Sequence, residues 1–224
     1  MSAATDKTAI RDAATILLIR DAASTPRVLM GQRGAKAAFM PDKFVFPGGA
    51  VDATDAAVPL ARPMPQSCLA RLGQSHPAPA ALAAAAIREL WEETGLMLGC
   101  PGRWDNPPDD WQGFAAHGLL PDASALRYIF RAITPPGRPR RFDARFFLAD
   151  ASAVAGDLDD FSAACDELSH LHWVPLAEAR ALNLPFITEV VLAEAQAHVT
   201  GEEMAESVPF FDNSTDVSMF RRIA

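Results

Sequence analysis

The chain has 224 residues, half of them hydrophobic, and a formal net charge of -8 at pH 7. This length and composition allow a sizeable buried core and predict one domain. The negative charge argues against a nucleic-acid partner, but a small anionic substrate remains compatible with it, because a bound metal ion reverses the charge of a site locally.

The N-terminal segment Met1–Ile10 is polar and charged where a signal peptide would need an apolar stretch. No later apolar run approaches the roughly 20 residues that span a bilayer. The three cysteines are widely spaced, and none belongs to a C-x-x-C pair. We therefore predict a cytoplasmic protein with no membrane partner.

Short apolar runs in the first fifty residues predict three strands, at residues 13–19, 28–30 and 43–46. The third run is followed by Pro47, Gly48 and Gly49, where proline removes a backbone donor and glycine permits unusual backbone angles. We expect the strand to end there in a tight loop.

Proline-rich residues 58–79 predict an irregular insert that contains one short helix, at about Gln66–Leu72. The next segment, Ala80–Glu93, is rich in strong helix formers, and Gly95 stands where a helix C-cap belongs. We expect a well-formed helix that ends at this glycine.

The second half of the chain alternates predicted strands and helices. A loop with a short helix at about 109–116 comes first, and residues after Gly201 are predicted as a C-terminal extension without assigned structure. The remaining predicted strands are 128–133, 145–148 and 171–174, and the remaining predicted helices are 177–182 and 187–198. This order predicts an α/β fold with a mixed β-sheet covered by helices on both sides.

Three glutamates in the predicted helix are candidates for chemistry. Glu89, Glu92 and Glu93 are spaced i, i+3 and i+4, so their carboxylates lie on one side of the helix. A divalent cation would relieve their repulsion, and oxygen ligands of this kind suit Mg²⁺ or Mn²⁺. The alternative is a solvated acidic face without a ligand.

The residues around these glutamates resemble a known family signature. Arg88–Leu96 reads RELWEETGL and matches each fixed position in the second half of the Nudix signature, R-E-U-x-E-E-x-G-U, where U is a bulky apolar residue. Phe46–Gly49 resembles the loop that opens this signature. Counting from Gly49 places Asp55 where the family usually has Glu, and an insert at about 56–80 follows it. The sequence leaves open whether Asp55 pairs with Arg88.

The resemblance implies a single Nudix domain over residues 1–224, an α/β/α sandwich with a C-terminal extension at about 201–224. It implies a Mg²⁺-dependent (or Mn²⁺-dependent) hydrolase that cleaves the diphosphate bond of a nucleoside diphosphate linked to another group. Glu89, Glu92, Glu93 and the Gly49 carbonyl would hold the metal, and Gly48 and Gly49 would contact the substrate. Arg88 would belong to the catalytic set.

A later segment resembles the family as well. Asp166-Glu167-Leu168 precedes a strand that ends in Trp-Val-Pro-Leu, and in some family members a glutamate from such a loop is the general base. Glu167 is therefore a candidate base, with Glu92 and Glu93 as further candidates. The alternative for Glu167 is a solvated loop acid.

The long insert and the segment Phe142–Phe147 resemble the branch of coenzyme A and acyl-CoA diphosphatases. Four arginines near this segment are candidate substrate contacts that would bind additional phosphate groups: Arg138, Arg140, Arg141 and Arg145. The alternative for each is a solvated basic side chain.

Other readings of the resemblance remain open. The chain could be a non-catalytic ligand-binding or regulatory module, although the signature glutamates are all present. It could also hydrolyse ADP-ribose, NADH or another nucleotide, or isomerise an isoprenoid diphosphate. The sequence does not determine the oligomeric state, and a homodimer is one possibility.

Overall fold

The computed structural model describes residues 9–73, 76–201 and 207–224. Most of the polar N-terminal segment, residues 74–75 of the insert and residues 202–206 of the C-terminal extension lie outside the described residues. The strands are β1 Ile10–Arg20, β2 Arg27–Arg33, β3 Phe44–Val45, β4 Gly48–Ala50, β5 Gly99–Pro101, β6 Leu119–Pro121, β7 Arg127–Ile133, β8 Arg141–Asp150, β9 Leu168–Pro175, β10 Val208–Asp212 and β11 Met219–Ile223. The α-helices are α1 Gln66–Leu72, α2 Pro79–Thr94, α3 Gln112–Ala116 and α4 Phe186–Thr200.

Strand β1 lies near the middle of a mixed sheet. The strand order is β11-β10-β7-β8-β1-β2-β3, with β4 also paired to β1 and β9 to β2. Strands β1 and β8 run parallel, as do β7 and β10, whereas β1 is antiparallel to β2 and β4. The prediction of a mixed sheet is confirmed.

Apolar side chains of β1 point alternately to the two faces of this sheet. Ile16 and Leu18 belong to the core on the side of α2, and Leu17 and Ile19 belong to the core on the side of α4. Both faces are therefore covered by helices, and the predicted α/β/α arrangement is confirmed. This double burial explains why the strand reads as a continuous apolar run.

Helix α2 packs tightly on the sheet because its first turns are built from alanine. Ala83–Ala86 are fully buried, and small side chains allow the helix backbone to approach the sheet closely. Gly95 has a φ of 77° and donates its backbone N–H to the Trp91 carbonyl, which forms the expected left-handed C-cap. The helix therefore ends at a defined position directly after the glutamates.

The insert contributes to the core on the α2 side. Its helix α1 coincides with the predicted short helix, and Cys68 is buried with its Sγ accepting a hydrogen bond from the Tyr128 backbone N–H. Val58 and Met64 are buried in the same core. The insert is thus packed on the domain by apolar contacts over much of its described length.

The structure differs from the predictions in several regions. The expected tight loop after β3 contains strand β4, and β5 and β6 lie where no strand was predicted. The predicted helix at 177–182 is reduced to a single 3-10 turn at Ala179–Ala181. The C-terminal extension forms β10 and β11, and β10 adds to the edge of β7. The two strands are short and pair with each other as a hairpin, and the attachment of β10 to β7 is long-range, so the local sequence signal for them is weak. None of the helices within the described residues combines the length and apolar character of a membrane span.

Candidate active site

The last two turns of α2 carry the glutamates, and Arg88 organises two of them. Arg88 Nη1 donates hydrogen bonds to Glu89 Oε1 at 2.9 Å and to Glu92 Oε2 at 3.2 Å. Glu93 points elsewhere and accepts a hydrogen bond from the Gly48 backbone N–H at 2.8 Å. The helix thus presents its carboxylates both to Arg88 and to the glycines of β4.

Asp55 pairs with Arg88 across the insert. Its carboxylate accepts hydrogen bonds from Arg88 Nε and Nη2 at 3.0 and 3.1 Å, and both residues are no more than 3% exposed. A 3-10 turn at Ala53–Ala57 brings Asp55 to this position. Arg88 Nη2 also donates to the Ala50 carbonyl. The shorter carboxylate of Asp therefore reaches the arginine, which the sequence left open.

The two loop glycines are required by close approach to their neighbours. A Cβ at position 48 would lie 2.7 Å from the Ala14 carbonyl oxygen and from Thr15 Cα, both of which are backbone atoms of β1. A Cβ at position 49 would overlap the Glu89 carboxyl group. Only glycine lets β4 lie between β1 and the end of α2 without displacing one of them.

Burial makes the carboxylates difficult to ionise. Desolvation, followed by the negative charges of Glu92 and Glu167, raises the pKa of Glu89 to about 7 against the opposing charge of Arg88. Burial, together with the charge of Glu89, raises the pKa of Glu93 well above its ordinary value. Without a cation, Arg88 therefore does not offset burial and mutual repulsion, and the protonated forms of Glu89 and Glu93 are favoured.

Carboxylate oxygens suit a hard divalent cation, and one carboxylate oxygen of this site has no other partner. Glu93 Oε1 is buried and has no hydrogen-bond partner among the described residues. As they stand, no three His, Cys, Asp or Glu side chains in the described part of the chain are arranged to hold a metal ion. Glu89 and Glu92 would first have to exchange their contacts with Arg88 Nη1 for contacts with the cation.

A cleft of about 950 Å³ opens beside these residues. Gly48, Gly49 and Glu89 line it, together with Arg33 and Glu167. Six phenylalanines also line it: Phe39, Phe46, Phe142, Phe146, Phe186 and Phe211. The cleft is large enough for an extended ligand of which one part lies at the carboxylates and another part contacts aromatic rings.

Glu167, the candidate base, lies in the lining of this cleft. Its carboxylate accepts a hydrogen bond from Arg33 Nη2 at 2.6 Å, and its side chain is 52% exposed. Its negative charge contributes to the raised pKa values of Glu89 and Glu93. The structure thus brings Glu167 within electrostatic reach of the glutamates on α2.

The four candidate arginines separate into two pairs. Arg138 and Arg140 are exposed and line the cleft. Arg141 instead donates to backbone carbonyls of Thr134 and Asn213. Arg145 is buried and is held by Asp12 and Asp143. Only the first pair is placed where a ligand in the cleft would meet it.

Sequence reasoning missed Arg33 and Asp52, both of which line the cleft. Arg33 is the last residue of β2, three residues beyond the predicted strand at 28–30, and no motif marks it. Asp52 lies 3.7 Å from Arg88 Nη2. The only available signal was their proximity in sequence to the predicted strand and to the glycine loop.

The chain is similar to several known proteins, although no protein-family model matches it. The crystal structure of a NUDIX hydrolase from Alicyclobacillus acidocaldarius is 31% identical, covers 88% of this chain and 96% of its own, and superposes with a TM-score of 0.67. A putative nudix hydrolase 7 of Caenorhabditis elegans is 33% identical over 177 residues, or 73% of this chain and 51% of that protein.

An acyl-coenzyme A diphosphatase of Gallus gallus is 27% identical over 178 residues, which cover 54% of this chain and 47% of that protein. The chain therefore spans about half the length of the curated relatives that it matches. The Alicyclobacillus structure, by contrast, is covered almost completely and shares the fold that carries the Arg88 to Gly95 motif. The chain belongs to the Nudix hydrolase family.

Proposed function

We propose that the protein hydrolyses the diphosphate bond of a nucleoside diphosphate linked to another group, with Mg²⁺ or Mn²⁺ as cofactor. The observation that carries this proposal is the position of the α2 glutamates. Glu89 and Glu92 accept hydrogen bonds from Arg88, and Glu93 accepts one from the Gly48 backbone N–H. Glu89, Gly48 and Gly49 also line a large cleft. This is an arrangement of oxygen ligands beside a space for substrate.

The metal ligands in this proposal are Glu89, Glu92, Glu93 and the Gly49 carbonyl. Their support is the burial and mutual repulsion that raise the pKa values of Glu89 and Glu93, which a bound cation would relieve, and the Glu93 Oε1 atom, which has no hydrogen-bond partner among the described residues. A bound Mg²⁺ supplies neutralisation of the diphosphate oxygens and a lowered pKa of bound water. Arg88 remains fixed by Asp55 and the Ala50 carbonyl while the glutamates change partners.

The remaining steps fall to the residues of the cleft. Glu167 accepts the proton of the attacking water, since its half-exposed carboxylate lines the cleft together with Glu89. Arg138 and Arg140 bind anionic groups of the substrate away from the bond that is cleaved. The aromatic side chains of the cleft contact its apolar part.

We further propose coenzyme A or an acyl-CoA as the substrate. The support is the similarity to the Gallus gallus relative, whose name gives this activity, and the combination of aromatic rings and arginines in one cleft. Coenzyme A carries a nucleoside diphosphate with an additional phosphate and a long arm. The diphosphate would lie at the metal held by the carboxylates, the additional phosphate at the arginines, and the long arm against the aromatic rings.

The central test is the variant Glu93→Gln, with Glu178→Gln as a control at an exposed position. We expect Glu93→Gln to lower kcat about 10²-fold or more with Mg²⁺, because a ligand and its charge are lost, and the control to keep full activity. Wild-type rates and unchanged Mg²⁺ dependence in Glu93→Gln would show that the glutamates do not hold the metal.

The substrate is identified by a panel of CoA, acyl-CoA, NADH, ADP-ribose and nucleoside triphosphates, each assayed with Mg²⁺ and with Mn²⁺. We expect the highest kcat/KM with CoA or acyl-CoA. A preference for ADP-ribose or NADH would overturn the CoA assignment alone. Binding of these compounds without turnover of any would indicate a ligand-binding module.

A further inference from the structure

Arg33 and Glu167 meet at the end of the ladder between β2 and β9. Arg33 is the last residue of β2 and lies opposite Leu168 in this ladder, so Glu167 is the first residue beyond it. Arg33 Nη2 donates to Glu167 Oε1 at 2.6 Å. The backbone ladder thus brings the two side chains together directly at the cleft.

An irregularity in the same ladder supports this placement. The register between β2 and β9 shifts between Met30 and Gln32, and His170 adopts a φ of 52°. Gly31 accommodates the bulge, because a Cβ there would lie 2.9 Å from side-chain atoms of Leu168 and Leu171. Bulges of this kind re-aim the adjacent side chains. The segment that carries Glu167 is therefore directed by the fold rather than left to a free loop.

Arg33 is the less exposed member of the pair. The Arg33 side chain is 19% exposed, much less than that of Glu167, and its Nε is buried. Because charge-assisted hydrogen bonds to a guanidinium are short and directional, the bond from Arg33 Nη2 restricts the position of the Glu167 carboxylate. Because Nε is buried, Arg33 has fewer donors available for a ligand in the cleft, and its Nη2 is already bonded to Glu167.

We propose that Arg33 is a positioning residue that holds the Glu167 carboxylate at the wall of the cleft, where it accepts the proton of the attacking water. This inference rests on the proposed function, since it requires hydrolysis with Glu167 as the base. It adds to that function a residue outside the Nudix signature on which the rate of the chemical step depends.

The experiment measures kcat and KM for Arg33→Gln, Glu167→Gln and the double variant on the best diphosphate substrate. For Glu167→Gln we expect kcat to fall about 10²- to 10⁴-fold, the range for loss of a general base. For Arg33→Gln we expect a fall of about 10- to 100-fold with KM within about threefold, because the base remains but is misplaced. Arg33→Lys, which keeps a cation, should recover part of this loss.

The double variant decides the role. If Arg33 acts through Glu167, the double variant has the kcat of Glu167→Gln alone, because no base remains to be positioned. Matched controls are Arg27→Gln at the other end of β2 and Asp166→Asn beside Glu167, neither of which lines the cleft. Both should retain wild-type kcat.

The inference would be overturned if the losses of kcat in the two single variants multiplied in the double variant. It would also be overturned if Arg33→Gln raised KM and left kcat unchanged, because Arg33 would then be a direct substrate contact. Wild-type kcat in Glu167→Gln would also overturn it. In each of these cases the proposed hydrolase activity stands. A wild-type protein that turns over no diphosphate substrate would instead remove the proposed function, and the inference with it.

Discussion

Asp55 and Arg88 form a buried bidentate ion pair that joins the start of the insert to helix α2. The pair leaves only Nη1 of Arg88 for Glu89 and Glu92, which it contacts at 2.9 and 3.2 Å. The position of the arginine is therefore set from outside the helix. A ligand of the glutamates could replace the Nη1 contacts without moving the arginine.

Loss of this pair should destabilise the protein. We expect Asp55→Asn to lower the free energy of unfolding by about 3 kcal/mol, because it leaves a buried guanidinium without its bidentate partner. Asp52→Asn is the matched control, since Asp52 lies 3.7 Å from the same guanidinium but is 52% exposed. It should cost less than about 1 kcal/mol. Equal losses for the two variants in urea unfolding would contradict the assigned importance of Asp55.

A methyl group on Gly49 should interfere with the site itself. Its Cβ would overlap the Glu89 carboxyl group, so Gly49→Ala must displace either the loop or the glutamate. We expect kcat to fall about 10²-fold, the effect of a displacement of about 1 Å in a catalytic group. Gly34→Ala is the control, because nothing lies within 4 Å of a Cβ there. Equal kcat values for the two variants would contradict the close approach of Gly49 to the Glu89 carboxyl group.

Stability without metal should decrease as pH rises. The pKa of Glu89 in the folded protein is about 7, above its ordinary value of 4.5, because its burial favours the protonated form. The stability that this carboxyl contributes is therefore fully present below about pH 4.5 and is lost as pH rises through about 7. We expect Tm in the presence of EDTA to fall over this window.

Added Mg²⁺ should counteract that loss. A cation binds the ionised carboxylates, so it should raise Tm more at about pH 8 than at about pH 5.5. Glu93→Gln removes a buried carboxyl whose pKa is also raised, and it should weaken both the pH dependence and the response to Mg²⁺. A Mg²⁺ effect of the same size at both pH values would argue against binding at these glutamates.

The C-terminal hairpin should depend on one buried amide. Asn213 is almost fully buried, and its Nδ2 donates to the Ile133 carbonyl at 2.9 Å, which ties the hairpin to β7. We expect Asn213→Ala to lower the free energy of unfolding by about 1 to 3 kcal/mol, the cost of an unsatisfied buried acceptor. Asp216→Asn, at an exposed position in the same turn, should change it little. Amide exchange in β10 would reveal the loosening directly.

Helix α2 could be predicted because its sequence pattern is local. Glutamates at positions 89, 92 and 93 share a side through helical spacing alone, and Gly95 ends the helix through its own backbone freedom. The continuous apolar run of β1 likewise predicts a strand that is buried on both faces of the sheet. These features depend on neighbours within a few residues, which a sequence displays.

The roles of other residues depended on pairings between distant segments. Arg145 and Arg138 lie in the same arginine-rich stretch, yet one is buried against Asp12 and the other lines the cleft. Arg33 meets Glu167 only through the register of β2 with β9. A change of one residue in strand register moves every side chain of the strand to the other face of the sheet. The register depends on both strands, so neither sequence segment predicts it alone.

By itself, the sequence determined the family motif, the helix that carries it and the class of the fold, since each follows from local spacing and periodicity. Only the tertiary structure decided that Asp55 reaches Arg88 past the insert. It also decided which cations face the cleft and that the last residues complete the sheet. These outcomes follow from long-range packing and hydrogen-bond registers, in which the position of each residue is set by segments far from it in the chain.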